Sequence, residues 1–134
     1  MPQTFQLQVA TPEKVLYSGL VHSIVAPGEE GYLGVLPNHA PLVCALAIGD
    51  LTITHQDGTK SHIAVHRGIL EVFENTVSVL ADTAESAAEI DEQRAQRALE
   101  RARNRLRERP PGTDLARAQA ARDRALNRLK VKQR

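Results

Sequence analysis

Hydrophobic and polar positions follow two different periods along the 134-residue chain. Up to about residue 84, apolar residues alternate with polar ones, most clearly at residues 5–9, 51–54 and 76–79. A period of two predicts strands with one buried face. Turn sequences separate the runs at Pro27-Gly28, Gly49-Asp50, Asp57-Gly58, Arg67-Gly68 and Glu74-Asn75. Short strands at such close spacing predict a β-sandwich or a flattened barrel for residues 1–84, and we expect a sandwich of about ten strands.

From residue 85 onward, the apolar positions repeat with the helical period of 3.6. The two stripes are Ala95, Ala98, Leu99, Ala102 and Leu106, then Leu115, Ala118, Ala121, Ala125, Leu126 and Leu129. Ser86 and Glu89 match the S-x-x-E capping box of a helix start, and Thr113 is placed to cap a second helix. Between the stripes, Pro110 and Pro111 exclude a continuous helix. Residues 85–134 are therefore predicted to form an antiparallel two-helix hairpin, which gives the chain an α+β fold class.

Charge divides the chain at the same place. Residues 1–84 contain three basic and eight acidic side chains, whereas residues 85–134 contain 14 basic and eight acidic ones. The net charges are thus −5 and +6, and they imply different partners for the two segments. Because the helical stripes contain few large side chains, we expect the hairpin to need a surface on which to dock.

The sequence also indicates where the protein works. No apolar run approaches the ~18 residues that span a bilayer, and the amino terminus lacks the features of a signal peptide. The single cysteine, Cys44, is flanked by apolar residues and is predicted to be a small buried hydrophobe. We therefore expect a soluble protein on the cytoplasmic side of the membrane.

Arginines of the two predicted helices fall at matching levels of the hairpin. If the chain turns near residue 111, Arg94 lies level with Arg128, and Arg101 lies within one turn of Arg124. Four guanidinium groups can then converge on one patch, and guanidinium groups suit phosphate oxygens. The spacing therefore permits an anion site between the helices, although on spacing alone a solvated charged face is the favoured interpretation.

Four motifs resemble those of the epsilon subunit of bacterial F-type ATP synthases. They are GYLGVLPNHAPL at residues 31–42, GILEV at 68–72, VLADTA at 79–84 and IDEQRA at 90–95. The resemblance runs through almost the whole chain, in the order expected for that family. It implies a β-sandwich domain (residues 1–84) that binds the gamma subunit and the c-ring in the central stalk. It also implies a two-helix regulatory domain (residues 85–134).

The same resemblance implies how such a subunit works. It is a non-catalytic part of a proton-translocating complex, held peripherally on the cytoplasmic face of the bacterial plasma membrane. Its helices either fold down on the sandwich or extend along gamma towards the alpha and beta subunits, where they inhibit ATP hydrolysis.

The resemblance further implies a regulatory ATP site, and no obligatory cofactor. The family's nucleotide-binding motif, I/L-D-x-x-R-A, is matched by Ile90, Asp91, Arg94 and Ala95. By position, the remaining ATP-binding residues are Glu85, Arg101, Arg124 and Arg128. No P-loop sequence is present in the chain, which agrees with a sensing role rather than a catalytic one.

The contact with the c-ring is expected at the loop of residues 29–39 and just beyond it. The candidate interface residues are Tyr32, Leu33, Val35, His39 and Leu42. Glycines in this region permit a tight, exposed loop, and the apolar side chains offer contact area. The alternative is that these apolar side chains belong to the core.

Three other interpretations remain open on the residues alone. The arginine patch could be a solvated charged face with Glu100 and Asp123 as counter-ions. A nucleic-acid-binding adaptor could use the same basic helices, but aromatic residues make up only 3% of the chain and none lies in the helices to stack on bases. A catalytic or sugar-binding sandwich would need clustered carboxylates. The five histidines have no H-x-H spacing with an acidic ligand, so no metal site is predicted.

Overall fold

The structure, a computed structural model, describes residues 3–134 and divides into two compact units between Ser86 and Ala87. The first unit is a seven-stranded sheet. Its strands are β1 (Phe5–Ala10), β2 (Val15–Val21), β3 (Ser23–Gly28), β4 (Gly31–Val35), β5 (Leu42–Thr54), β6 (Lys60–Phe73) and β7 (Thr76–Ser86). The last strand runs two residues past the domain boundary expected at residue 84.

The strands pair in the order β2-β1-β7-β6-β5-β3-β4. All pairs are antiparallel except β1 with β7, which are parallel. One cluster of buried side chains draws on every strand, with Phe5, Leu7, Ile24, Leu51 and Leu70 among its largest members. The inward faces of all seven strands therefore enclose a single core.

Three long strands change their buried face partway along. In β6, Val65 and Leu70 are both buried. Their positions differ by five, an odd number, so the alternation has switched phase between them. β5 switches between Leu46 and Leu51, and β7 switches between Ala81 and Ala84. These switches lie side by side in the sheet, because Leu46 pairs with Gly68 and Gly68 pairs with Ala81. The aligned irregularities bend the sheet around the core.

Gly68 is required at this bend. Its φ is +146°, and a Cβ at this position would lie 2.2 Å from the Leu80 carbonyl oxygen.

The prediction of about ten short strands is wrong in number, since the sheet has seven, although the fold class is confirmed. Gly49-Asp50 and Arg67-Gly68 lie inside β5 and β6, where strand pairing continues on both sides instead of ending at a turn. Glu74-Asn75 is a true two-residue turn, with φ of 48° and 57°.

The second unit is the predicted helical hairpin. After a 3-10 turn at Ala87–Glu89, it contains α1 (Glu92–Glu108) and α2 (Leu115–Lys132). α1 ends at Arg109, which has a left-handed conformation with φ of 47° and donates its N–H to the Arg105 carbonyl. Lys132 Nζ donates to the Ala87 carbonyl oxygen over 3.1 Å, which ties the end of α2 to the start of the unit.

Both predicted helix caps are corrected by the structure. Ser86 is the last residue of β7, so it cannot cap α1; Asp91 does so instead, and its side chain accepts from the Arg94 N–H at 3.1 Å. Asp114, rather than Thr113, caps α2 by accepting from the Arg117 N–H at 3.1 Å. Each aspartate has the extended backbone that a cap needs. Among residues 3–134, no helix is both long and apolar enough to cross a membrane.

Candidate functional site

The two helices pack through small side chains. Ala95 and Ala102 of α1 are buried, and so are Ala118 and Ala125 of α2. Each pair is spaced by seven residues, or about two turns, and therefore marks one face of its helix. Alanine at all four positions allows the two backbones to approach closely.

The predicted arginines stand beside this packing face. Arg94, Arg101 and Arg124 directly precede Ala95, Ala102 and Ala125, so each is rotated by about 100° to the same side of its alanine. Because the helices are antiparallel and right-handed, that rotation places the arginines of both helices on the same side of the hairpin. Arg128, three residues after Ala125, lies about 60° to that side as well. We call this surface the arginine side.

The levels of these arginines also agree with the prediction. Arg94 lies 14 residues before the end of α1, and Arg128 lies 13 residues after the start of α2. For Arg101 and Arg124 the corresponding separations are seven and nine residues. The hairpin therefore brings all four arginines to one side, in two pairs about 6 to 10 Å apart along the axis.

The acidic side chains suggested as counter-ions point elsewhere. Glu100 and Asp123 each precede an arginine of this side by one residue, which turns them a further ~100° away from the helix contact. Asp123 accepts from Arg122 Nε over 3.2 Å. Arg94 and Arg101 are exposed, whereas Arg124 and Arg128 are half-buried. Neither Glu100 nor Asp123 therefore lies on the arginine side.

The other members of the predicted ATP set have different environments. Asp91 already accepts from a backbone N–H as the cap of α1. Ile90 and Ala95 are buried, and the Ala95 side chain faces the helix contact, so Ala95 can offer a ligand only its backbone. Glu85 lies near the end of β7 and belongs to the sheet unit rather than to the hairpin.

Two arginines of the same side were missed from the sequence. Arg117 directly precedes Ala118, just as Arg94 precedes Ala95, and Arg105 lies one turn after Arg101. Both side chains line one cavity at the turn of the hairpin. The signal that could have found them is the second D-x-x-R-A sequence, at residues 114–118.

The expected c-ring loop separates into exposed and buried residues. Tyr32 is 60% exposed, and its hydroxyl oxygen accepts from the Asp50 N–H over 3.1 Å. Leu33 and Leu42 are partly buried and pack against the core. Val35 is only 1% exposed and belongs to the core, so its assignment to an interface is wrong: pairing with Ile24 turns its side chain inward.

A cleft of about 560 Å³ opens beside this loop. Its floor is apolar and its rim contains two exposed carboxylates. The lining residues are Gly28, Glu29, Glu30, Gly31, Leu33, Gly34, His39, Leu42, Val43, Cys44 and Ala45. Burial raises the pKa of the Cys44 thiol, which keeps it protonated and makes it a poor nucleophile.

Hydrogen bonds hold the segment that carries His39. His39 Nδ1 lies 2.7 Å from the Ala40 carbonyl oxygen, and the His39 N–H donates to the Leu36 carbonyl. Asn38, with φ of 64°, donates its N–H to Asn75 Oδ1 over 2.8 Å. The loop beside the cleft is thus fixed to the β6–β7 turn.

Three of the other histidines have side-chain partners. His62 Nδ1 lies 3.0 Å from Asp50 Oδ2, His66 Nδ1 lies 3.1 Å from Thr83 Oγ1, and His55 Nε2 lies 2.7 Å from Ser61 Oγ. Within residues 3–134, no group of three or more histidine, cysteine or acidic side chains is arranged to hold a metal ion.

Two family models match the chain and together cover nearly all of it. The β-sandwich domain of the ATP synthase delta/epsilon chain matches residues 4–87, and the long alpha-helix domain of the same chain matches residues 88–133. The ATP synthase epsilon chain of Moorella thermoacetica is 49% identical over 113 residues, which cover 84% of each chain. The epsilon chain of Solibacter usitatus is 52% identical over 116 residues, covering 87% of this chain and 86% of the relative.

A solved structure shares the same fold. A chain of the mitochondrial ATP synthase of Euglena gracilis, in a structure of its OSCP, F1 and c-ring, superposes with a TM-score of 0.73 and 24% identity, covering 99% of this chain and 79% of that one. The likeness in fold and the two matched domains lead to one conclusion. The chain belongs to the ATP synthase epsilon-chain family, whose members are subunits of the ATP synthase complex.

Proposed function

We propose that, as the epsilon subunit of a bacterial F-type ATP synthase, this chain joins the c-ring to the gamma subunit in the central stalk and regulates ATP hydrolysis through its hairpin. The observation that carries the stalk role is the match of both domains over residues 4–133. The chain performs no catalysis itself. It is held peripherally on the cytoplasmic face of the plasma membrane through the complex.

The cleft beside the His39 loop is the surface we assign to the c-ring. Glu29 and Glu30 on its rim favour a basic partner, while Leu33, Leu42 and Val43 offer apolar contact. A loop of the ring that combines a basic side chain with apolar neighbours would satisfy both features. Val43 is 70% exposed, so of these three apolar residues its side chain would lose the most solvent exposure on binding a partner.

An apolar row on the outer face of the sheet is the surface we assign to gamma. Ile69 pairs with Ala45 on one side and with Leu80 on the other. Ile69 is 48% exposed and Leu80 is 51% exposed. Neighbouring exposed aliphatic side chains on a sheet face are typical of a protein contact rather than of a solvated surface.

The arginine side of the hairpin is the surface we assign to ATP. Four guanidinium groups lie beside one packing face, and a triphosphate offers charged oxygens that guanidinium groups bind well. Bound ATP would link α1 to α2 and favour the closed hairpin over any state in which the helices separate. ATP thereby acts as a regulatory ligand that opposes inhibition by the extended helices.

Calorimetric titration of the full chain tests the ATP assignment. ATP is expected to bind more tightly than tripolyphosphate, because only ATP carries the adenine. The double variant Arg94→Gln/Arg128→Gln should lose this preference. The variant Arg103→Gln/Arg107→Gln is the control, since Arg103 directly follows Ala102 and both arginines lie away from the arginine side. Equal binding of ATP and tripolyphosphate by the unmodified chain would contradict a nucleotide site.

A further inference from the structure

The hairpin contains an internal repeat. Residues 91–106, DEQRAQRALERARNRL, return 23 positions later as residues 114–129, DLARAQAARDRALNRL, with ten of 16 residues identical. Among the identical positions are the aspartate, three arginines and the two buried alanines. Each helix therefore carries its own copy of the D-x-x-R-A motif, one at Asp91 and one at Asp114.

The two copies have the same local structure. Asp91 and Asp114 are both helix caps, and each accepts from the N–H three residues ahead at 3.1 Å. The alanines four residues after these caps, Ala95 and Ala118, are both buried. The repeat is thus present in the backbone and in the packing as well as in the sequence.

An antiparallel pair of equivalent helices has an approximate twofold axis across its middle. A shift of 23 residues relates Arg94 to Arg117 and Arg105 to Arg128. Because Arg94 lies level with Arg128 at one end of the hairpin, Arg117 must lie level with Arg105 at the other end. Arg101 and Arg124 exchange with each other at the centre. The outer two arginines of the proposed ATP site, Arg94 and Arg128, therefore have equivalents nearer the turn.

A cavity occupies the position that this symmetry indicates. Its volume is about 380 Å³, and both Arg105 and Arg117 line it. The turn residues Pro110–Gly112, with Thr113, Asp114 and Ala118, complete the lining. One carboxylate, that of Asp114, is present, and it already accepts from the Arg117 N–H. The two guanidinium groups are both exposed and accessible from solvent.

We propose that this cavity is a second phosphate-binding site, formed by Arg105 and Arg117 at the turn of the hairpin. Its ligand is a polyphosphate anion, without recognition of a base. Thr113 stands at the position equivalent to Ile90, so the second copy lacks the apolar residue that begins the I/L-D-x-x-R-A motif. The second site rests on the proposed function only in that both sites use the same arginine arrangement.

Tripolyphosphate titrated into the full chain tests the second site, with phosphorus NMR to follow the bound anion. In the Arg94→Gln/Arg128→Gln background, tripolyphosphate and ATP should still bind, with affinities within about threefold of each other, since the turn has no base contact. Adding Arg105→Gln/Arg117→Gln should weaken both ligands by at least about tenfold. Adding Arg103→Gln/Arg107→Gln instead removes the same charge from the opposite side and should leave both affinities unchanged.

The outcomes separate the two proposals. If the Arg105/Arg117 and Arg103/Arg107 changes weakened polyphosphate binding equally, the second site would be overturned, because the affinity would then depend on net charge alone. Loss of all polyphosphate binding in the Arg94/Arg128 variant would also overturn it and would leave the ATP site standing. Retained binding that depends on Arg105 and Arg117, in a chain that shows no preference for ATP, would support the second site alone. Circular dichroism of each variant checks that the helices persist.

Discussion

Asn38 donates its backbone N–H to the side-chain Oδ1 of Asn75 over 2.8 Å, although the two residues are 37 positions apart. Asn75 Nδ2 donates in turn to the Thr4 carbonyl over 2.9 Å, and the Asn75 carbonyl accepts from the Gln6 N–H. One asparagine therefore connects the loop beside the cleft to β1 and to the β6–β7 turn. The position of His39 depends on this connection.

Replacing Asn75 should increase the mobility of that loop, by an amount that depends on whether the new side chain can still accept from the Asn38 N–H. Asn75→Gly tolerates the φ of 57° but removes both side-chain hydrogen bonds. We expect this to lower the free energy of local opening by ~1 kcal/mol, so the Asn38 amide should exchange about fivefold faster. Asn75→Asp keeps the acceptor for Asn38 and should retain that protection. Hydrogen exchange measured by NMR distinguishes the two variants. Equal exchange in both would show that the side-chain acceptor is not what holds the loop.

Gly68 should be far less replaceable than another glycine with positive φ. Gly68→Ala places a methyl group 2.2 Å from the Leu80 carbonyl oxygen in an unfavourable backbone conformation, and we expect a loss of more than about 3 kcal/mol. Gly58→Ala, with φ of +86° and nothing within 4 Å, should cost about 1 to 2 kcal/mol. Urea denaturation measures both free energies of unfolding. Similar losses would mean that the bend does not depend on close backbone approach.

These glycines show how far local sequence predicts the fold. Alternation identified the strands, and the proline break identified the hairpin, because both signals depend on neighbouring residues. Arg67-Gly68 was read as a turn because the same residues serve a turn or a bulge. Only the pairing of β6 with β5 and β7, which are distant in sequence, decides between them.

The candidate sites follow the same rule. The arginine side could be predicted because helical period and one turn position fix the relative placement of side chains. The S-x-x-E motif predicts a helix cap at Ser86 from local sequence, whereas pairing with Ile63 keeps Ser86 in β7. Period two does not say which face of a strand is buried, so the sequence leaves Val35 open between interface and core; pairing with Ile24 places it in the core.

Asp57 should titrate below the ordinary range of an aspartate until Thr59 is changed. Hydrogen bonds from the Thr59 hydroxyl, at 2.6 Å, and from its N–H, at 2.9 Å, lower the pKa of Asp57. A depressed pKa stabilises the folded state above the unfolded pKa, and that contribution disappears as pH falls through the folded pKa. Thr59→Val removes the hydroxyl and should raise the Asp57 pKa, as followed by NMR of the carboxyl carbon. Thr76→Val, at an exposed position of β7, is the control and should leave the Asp57 pKa unchanged.

A charge placed in the cleft should separate folding from assembly. Val43 is 70% exposed and lines the cleft beside Glu29 and Glu30, so Val43→Glu should change the free energy of unfolding by no more than about 0.5 kcal/mol. The added negative charge should nevertheless weaken binding to the c-ring, because the new carboxylate would have to be buried against the partner. Val15→Glu, at a residue 55% exposed on β2, adds the same charge away from the cleft and should leave assembly intact. Reconstitution of each variant with the remaining subunits, followed by proton pumping driven by ATP, measures the difference. Normal pumping with Val43→Glu would place the c-ring contact elsewhere on the sandwich.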